Sequence, residues 1–341
     1  MKRFPHLVPV LGAAILLAAL CFIKPPGGSP ADVPIHRSDF LLNTFVDIAI
    51  YDSRDESILD GAMALCREYE NRFSRTLSGS EVYRLNHRED ATGTYPLSDD
   101  MTNLLATALY YCERSGGAFD ITTEPLSSLW NFSGTSPSVP PAEAIEEARK
   151  KVDYKKLRLD GTRSTLTFLD PGTSIDLGAI AKGYIADQLK AYLLDSGVES
   201  AMINLGGNVL CVGSRPDGTP FTVGLQKPFA DRNETFAQVE VSDLSVVASG
   251  VYERHFVEDG KNYHHILDPS TGYPYDNGLI SVTILSERSV DGDALSTTCF
   301  SLGLSRGMEL VESMDGVYAC FIDEDYQIHY SDGMEKFLRK D

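Results

Sequence analysis

Hydrophobic positions along this chain repeat with two periods, and the switch between them marks out its elements. From Asp55 to Arg75, Ile58, Ala62, Leu65, Tyr69 and Phe73 recur at steps of three and four, one face of an amphipathic helix. A second stripe, Met101, Leu104, Leu105, Ala108 and Cys112, starts from about Ser98, has Asp99 and Asp100 in its first turn and stops at Gly116-Gly117. Further helices are predicted over Ala142 to Val152, over Gly178 to Ser196 with Gly197 as its cap, and from Asp291 onward. β-Branched and aromatic runs lie between them. Asp39 to Tyr51 reads as one strand, Leu157 to Leu169 as a hairpin around Asp160-Gly161, and Ala201 to Leu205 as a buried strand entering Gly206-Gly207-Asn208. Short strands follow to Ser249, then a polar, turn-rich stretch through Pro274, a strand over Leu279 to Leu285, and a closing hairpin from Val317 to Tyr330 turned at Asp323 to Asp325. Strands and helices do not alternate regularly, so the expected class is α+β: mixed, mainly antiparallel sheets packed with helices in a sandwich. No internal repeat or low-complexity tract interrupts the pattern.

The N-terminus is different in kind. Lys2 and Arg3 precede an apolar run from His6 to Ile23, and Pro25, Pro26, Gly27, Gly28 and Pro30 follow it, the layout of an export signal. The run lies at the border between a signal sequence and the roughly 20 residues that span a bilayer. Cys21 follows Ala18-Ala19-Leu20, which resembles a bacterial lipoprotein cleavage site except at Leu20. A lipid anchor and an uncleaved helical anchor both stay open, and both would hold the rest at the extracytoplasmic face of the cell membrane. The expected division is therefore a signal peptide or membrane anchor over 1–23, a linker over 24–36 and a folded domain over 37–341.

Composition narrows the partners. With 49 acidic residues against 30 basic ones the net charge is -19, which repels phosphate backbones, so nucleic acid is not an expected partner. At 341 residues and 43% hydrophobic the chain can build one large core or two smaller ones. Six cysteines are scattered without a C-x-x-C pair, so reduced core thiols are expected in place of a zinc site or a disulfide framework.

No G-x-G-x-x-G, P-loop or G-x-S-x-G is present, which removes sequence support for Rossmann hydride transfer, P-loop chemistry and lipase-type hydrolysis. Five other dense patterns stand out: Ser115-Gly-Gly-Ala-Phe-Asp-Ile-Thr122, Asp176-Leu-Gly-Ala-Ile-Ala-Lys-Gly183, Asn204-Leu-Gly-Gly-Asn208, His264-His-Ile-Leu-Asp-Pro-Ser-Thr-Gly-Tyr-Pro274 and Asp293-Ala-Leu-Ser-Thr297. On a helix Asp293, Ser296 and Thr297 fall at i, i+3 and i+4, so their oxygens converge in the manner a hard cation such as magnesium takes. A structural reading of the same residues makes Asp293 a helix N-cap and turns the hydroxyls onto their own backbone. Asp176 and Lys182 bracket Gly178-Ala179 at a strand-to-helix junction, which suits either a phosphate site or a surface ion pair. His264 and His265 precede a turn, where a histidine serves as a general base or satisfies a buried carbonyl.

Together these segments resemble one family, the ApbE-like FAD:protein FMN transferases, over about residue 38 to the C-terminus. The resemblance implies an ApbE-like flavin transferase fold and an enzyme that moves FMN from FAD, as substrate, to a threonine of a target flavoprotein through a phosphoester bond, releasing AMP. It further implies that Ala118, Phe119 and Asp120 line the FAD site, and that Asp176, Lys182 and Leu267 contact FAD. Ala179, through its carbonyl, would join Asp293, Ser296 and Thr297 around Mg2+, and His265 matches the proposed base. Two positions depart from the family. Leu42-Asn43-Thr44 replaces M-G-T and Thr76 replaces a common tyrosine, so flavin contacts at Leu42 and Thr76 differ in kind. The implied acceptor is a separate exported or membrane flavoprotein carrying a threonine flavinylation motif. Two other functions share these residues: an FAD pyrophosphatase giving FMN and AMP, and a flavin-binding surface lipoprotein without turnover. Because neighbours in an extended segment point to opposite sides, His264 is expected to face outward if His265 faces the phosphates.

Overall fold

A computed structural model describes residues 33–231 and 233–340. The charged and apolar N-terminal segment and Cys21 lie outside the described residues.

The chain opens with a hairpin where one strand was expected. β1 (Ile35–Leu41) pairs antiparallel with β2 (Thr44–Ile50) through Leu42 and Asn43, whose φ angles of 56° and 55° make a two-residue type I′ turn. The turn lacks glycine and the apolar alternation runs on across it, which is why the sequence shows a single run. α1 (Glu56–Phe73) starts at Asp55, whose carboxylate accepts from the Ser57 amide, and buries Leu59, Ala62, Met63, Cys66, Tyr69 and Phe73. Then come α2 (Glu81–Asn86), β3 (Gly93–Pro96) and α3 (Asp99–Arg114), capped by Ser98 as its sequence indicates. α4 (Glu124–Trp130), α5 (Ala142–Arg149), β4 (Leu157–Asp160), β5 (Thr165–Phe168) and α6 (Ala181–Asp195) follow. The Gly178-Ala179-Ile180 segment expected in α6 is a turn that precedes it.

The second half is strand-rich: β6 (Ala201–Leu205), β7 (Asn208–Val212), β8 (Phe221–Gln226), β9 (Thr235–Val241), β10 (Ser245–Gly250), β11 (His255–Glu258), β12 (Lys261–His264) and β13 (Leu279–Ser286). α7 (Ser289–Glu312), β14 (Tyr318–Asp323) and β15 (Ile328–Tyr330) complete the domain. The expected polar stretch up to Pro274 therefore contains a hairpin, β11–β12, turned at Asp259-Gly260.

Eight strands form one sheet in the order β1-β2-β6-β7-β10-β13-β14-β15, and every neighbouring pair is antiparallel. One face joins a core with α1, α6 and α7, in which Ile48, Ile203 and Val282 meet Leu59, Ile185, Leu189, Leu295 and Cys299. The other face is covered by the β8–β9 hairpin through Phe221, Val223, Leu225 and Val239 against Val246, Leu285 and Cys320. This is the α+β sandwich that the irregular order of elements implied. A third cluster, Leu126, Trp130, Ile145 and Ala148, seats Leu267 of the loop after β12.

The five cysteines among the described residues are free and buried. Burial pushes the thiols of Cys66, Cys211, Cys299 and Cys320 up to about 12, so they act as small hydrophobes. No helix among the described residues is long and apolar enough to cross a membrane.

Candidate active site

α6 and α7 cross at their N-termini at unusually close range. A Cβ on Gly183 would lie 2.3 Å from the Ser289 carbonyl oxygen, so glycine is required at the crossing. Neither helix has a side-chain cap from its own N-cap residue, Ile180 or Arg288. Each is capped by a carboxylate of the other. Asp187 of α6 accepts from the amides of Ser289 and Val290 at 2.8 and 2.9 Å, and Asp293 Oδ2 of α7 accepts from the Gly183 amide at 2.9 Å. Burial raises Asp187 to about 6 against the pull of those two amides.

This exchange has a consequence for a third group. Gly183 would ordinarily donate to the carbonyl four residues back, that of Ala179, but its N–H is turned to Asp293. Among the described residues no backbone amide donates to the Ala179 carbonyl. Asp293 is thus a cap for α6 and lies inside α7, so the reading of it as the cap of its own helix is corrected. Its other oxygen, Oδ1, stands 3.1 Å from Lys182 Nζ. Lys182 therefore pairs with Asp293 and not with Asp176. Ser296 Oγ donates to the Asp293 carbonyl at 2.9 Å, as a helix-bonding serine does, and also meets Ser249 Oγ of β10 at 2.8 Å. Ser249 lies 3.2 Å from Thr297 Oγ1 as well. One buried carboxylate, three clustered hydroxyls and a carbonyl without its helical partner make a set of hard oxygen donors. That set fits Mg2+, which takes few protein ligands and completes its shell with water and phosphate.

His265 follows the last residue of β12, and its amide donates to the Arg254 carbonyl at 3.1 Å. The Arg254 guanidinium reaches back to the Asn43 carbonyl at 3.4 Å, which ties the histidine to the Leu42-Asn43 turn. The His265 Nδ1 is buried without a hydrogen-bond partner. Burial first, then the positive charge of Arg254 and the neighbouring His264, with Lys182 contributing, push its pKa down to about 3, so the imidazole is neutral. His264 does not face outward as expected. It is 4% exposed, packs on Phe300, and its Nε2 bonds the Tyr275 carbonyl at 2.9 Å. A carbonyl only accepts, so Nε2 carries the proton and Nδ1 receives the Ile266 amide at 3.3 Å. The two rings do point apart, but protein lies on both sides of this segment.

The segments expected to contact flavin converge through a second chain of contacts. Ala118 follows the left-handed Gly116 and Gly117, and its carbonyl accepts from Tyr275 Oη at 2.9 Å. Tyr275 also donates its amide to Ile266 at 3.0 Å, beside Leu267, which bridges to Pro274. Phe119 is buried. Asp120 is buried too, and both of its oxygens are engaged: Oδ1 by the Thr122 amide and hydroxyl at 2.7 and 2.6 Å, Oδ2 by the Tyr154 amide at 2.9 Å. These bonds tie the Asp120 loop to Thr122 and to Tyr154. Asp176 donates its amide to Ile121 at 2.8 Å and pairs through Oδ2 with Arg75 Nε at 3.3 Å, next to the exposed Thr76. Three residues central to this layout escaped the sequence reading. Asp187 carried a signal, a carboxylate on the otherwise apolar stripe of α6, whereas Arg254 and Ser249 sit in segments with no local pattern.

A sequence profile of the ApbE family matches residues 42–322. The chain belongs to the ApbE family. It is 37% identical over 293 residues to an FAD:protein FMN transferase of Klebsiella pneumoniae (strain 342), covering 85% of this chain and 90% of the relative. It is 32% identical over 344 residues to an FAD:protein FMN transferase of Treponema pallidum (strain Nichols), covering 95% and 94%. Among solved structures, the ApbE protein of Thermotoga maritima superposes with a TM-score of 0.82 at 32% identity, covering 90% of this chain and all of that one. The flavin transferase ApbE of Vibrio cholerae gives 0.80 at 27% identity, covering 89% and 99%. The ApbE fold thus extends over nearly the whole described domain.

Proposed function

We propose that this ApbE-family chain is an FAD:protein FMN transferase that uses Mg2+, transfers FMN to a threonine of a separate flavoprotein and releases AMP. What supports this reading is the α6–α7 crossing, where the Asp293 carboxylate meets the Lys182 ammonium and the Gly183 amide, and that amide is thereby drawn away from the Ala179 carbonyl. The names of the relatives supply the reaction class.

In this reading the threonine hydroxyl oxygen attacks the FMN-side phosphorus of the FAD diphosphate. A bond forms from threonine to phosphorus, the bond from phosphorus to the bridging oxygen breaks, and AMP leaves with that oxygen. Such a step demands positioning and charge neutralisation more than covalent help from the protein. Asp293, Ser296, Thr297 and the Ala179 carbonyl would hold Mg2+, which when bound offsets the negative charge of the diphosphate. Lys182 brings a second positive charge to the same oxygens. His265, neutral and half-buried, accepts the threonine proton. Ala118, Phe119, Leu267, Leu42 and Thr76 border the flavin, while Asp120 and Asp176 keep their loops in place.

We place the domain outside the cytoplasm, held to the membrane through the N-terminus, on the strength of Lys2, Arg3 and the apolar run to Ile23. Asp293→Ala tests the metal assignment. FMN transfer should be lost while FAD still binds, because the variant removes the one carboxylate of the donor set. Full transfer by this variant in magnesium would sink the assignment.

A further inference from the structure

Among the described residues three phenylalanines are exposed, Phe40 at 67%, Phe45 at 36% and Phe229 at 50%, and contacts or chain neighbours lead from each of them to Arg254. Phe40 and Phe45 are directly opposed in the β1–β2 hairpin, so they form one apolar patch, one residue pair away from the Leu42-Asn43 turn. That turn bonds Arg254. Phe229, in the loop between β8 and β9, packs edge-on against Tyr252 and His255 at 5.8 and 5.7 Å, on either side of Arg254 in the chain. The three rings are therefore linked through the segment whose carbonyl fixes the catalytic histidine's backbone.

Phe229 adds an independent sign of function. Its φ is 59°, a left-handed backbone that a bulky residue without a local polar side chain rarely adopts. Half of its surface stays in water, so burial does little to offset that strain. Residues held in such strained backbone cluster at active sites and ligand clamps. Single exposed hydrophobics need no explanation, but a cluster rimming a site does.

We propose that Phe40, Phe45 and Phe229 form the docking surface for the acceptor protein, gripping an extended segment with apolar side chains on either side of its threonine. This rests on the transferase reading, since a reaction with a protein acceptor needs a surface continuous with the site, wide enough for a chain and able to release it. Aromatic side chains suit that task because they bury large area at small entropic cost. Arg254, exposed and bonded to the Leu42-Asn43 turn, suits an acidic residue of the same segment.

The experiment compares Phe229→Ala and the double variant Phe40→Ala/Phe45→Ala with the wild-type chain, using an exported flavoprotein that the wild type flavinylates. KM for that protein should rise about tenfold or more in each variant. FAD affinity, melting temperature and kcat at saturating acceptor should stay as in the wild type. An unchanged KM overturns the proposal. So does a parallel loss of FAD affinity, which would make the rings part of the flavin pocket, or loss of phosphatidylcholine vesicle binding or of self-association with acceptor KM intact. If the wild type itself transfers no FMN to any protein, the function falls and the docking surface with it; that outcome is distinct from wild type and variants transferring with equal KM.

Discussion

At the scale of single residues, the neutrality of His265 has kinetic consequences. A group whose pKa is lowered by folding stays in its basic form down to the lowered value, here about 3 in place of the usual 6.5. In the free enzyme, kcat/KM for FAD should therefore show no acid limb from this imidazole between about pH 8 and 6. An acid limb centred near 6.5 that vanishes in a His265 variant would contradict the burial argument. His265→Ala should lose transfer by about 10²–10⁴ while FAD and Mg2+ binding persist, as expected for loss of a base. His264→Ala should fail differently. It leaves the Tyr275 carbonyl and the Ile266 amide without partners in the core, at a cost of roughly 1–3 kcal/mol. A thermal melt should show the loss, with residual transfer in the protein that remains folded.

At the scale of elements, the crossing of α6 and α7 sets Asp293 against the start of α6, and the proposed metal site depends on it. Gly183→Ala places a methyl group against backbone, which cannot swing aside, so the helices must separate and the cost should exceed the roughly 1–3 kcal/mol of common overpacking. Both melting temperature and Mg2+ affinity should fall. Gly197→Ala is the control. Its φ is 81° but the space around it is open, so it should cost about 1–2 kcal/mol and leave the magnesium titration unchanged. The same crossing explains what the sequence could and could not reveal. α1 and α3 are legible because Asp55 and Ser98 cap them locally and their stripes run several turns. α6 and α7 are capped across space by Asp293 and Asp187, so their starts are misjudged and the partnership of Lys182 with Asp293 is invisible. α2 and α4 are too short for a stripe to develop. The β11–β12 hairpin did carry a signal, Asp259-Gly260 between Phe256 and Tyr263, which the polarity of the surrounding stretch obscured. Candidate-site residues were legible where small residues and hard polar groups are adjacent in sequence, as in Asp293 to Thr297, and not where they are single, as with Arg254 and Ser249.

At the scale of the whole molecule, the domain places the segments proposed to bind flavin, the oxygen donors and His265 on loops and helix ends around one antiparallel sheet, with the β8–β9 hairpin on one face carrying Phe229 against Tyr252 and His255. A net charge of -19 repels anionic lipid, so the proposed attachment to a membrane rests on the N-terminus and not on surface charge. The full chain should fractionate with membranes, and deletion of residues 1–32 should release an active domain; a full-length chain found wholly in the soluble cytoplasmic fraction would refute the anchoring proposal. The most direct test of the central claim is to incubate the domain beginning at Val33 with FAD, Mg2+ and an exported flavoprotein, then to weigh the acceptor and assay the nucleotide released. The expected product is an acceptor heavier by one FMN on a threonine, with one AMP formed per FMN transferred. Free FMN and AMP with an acceptor of unchanged mass, or FAD left intact, would contradict it.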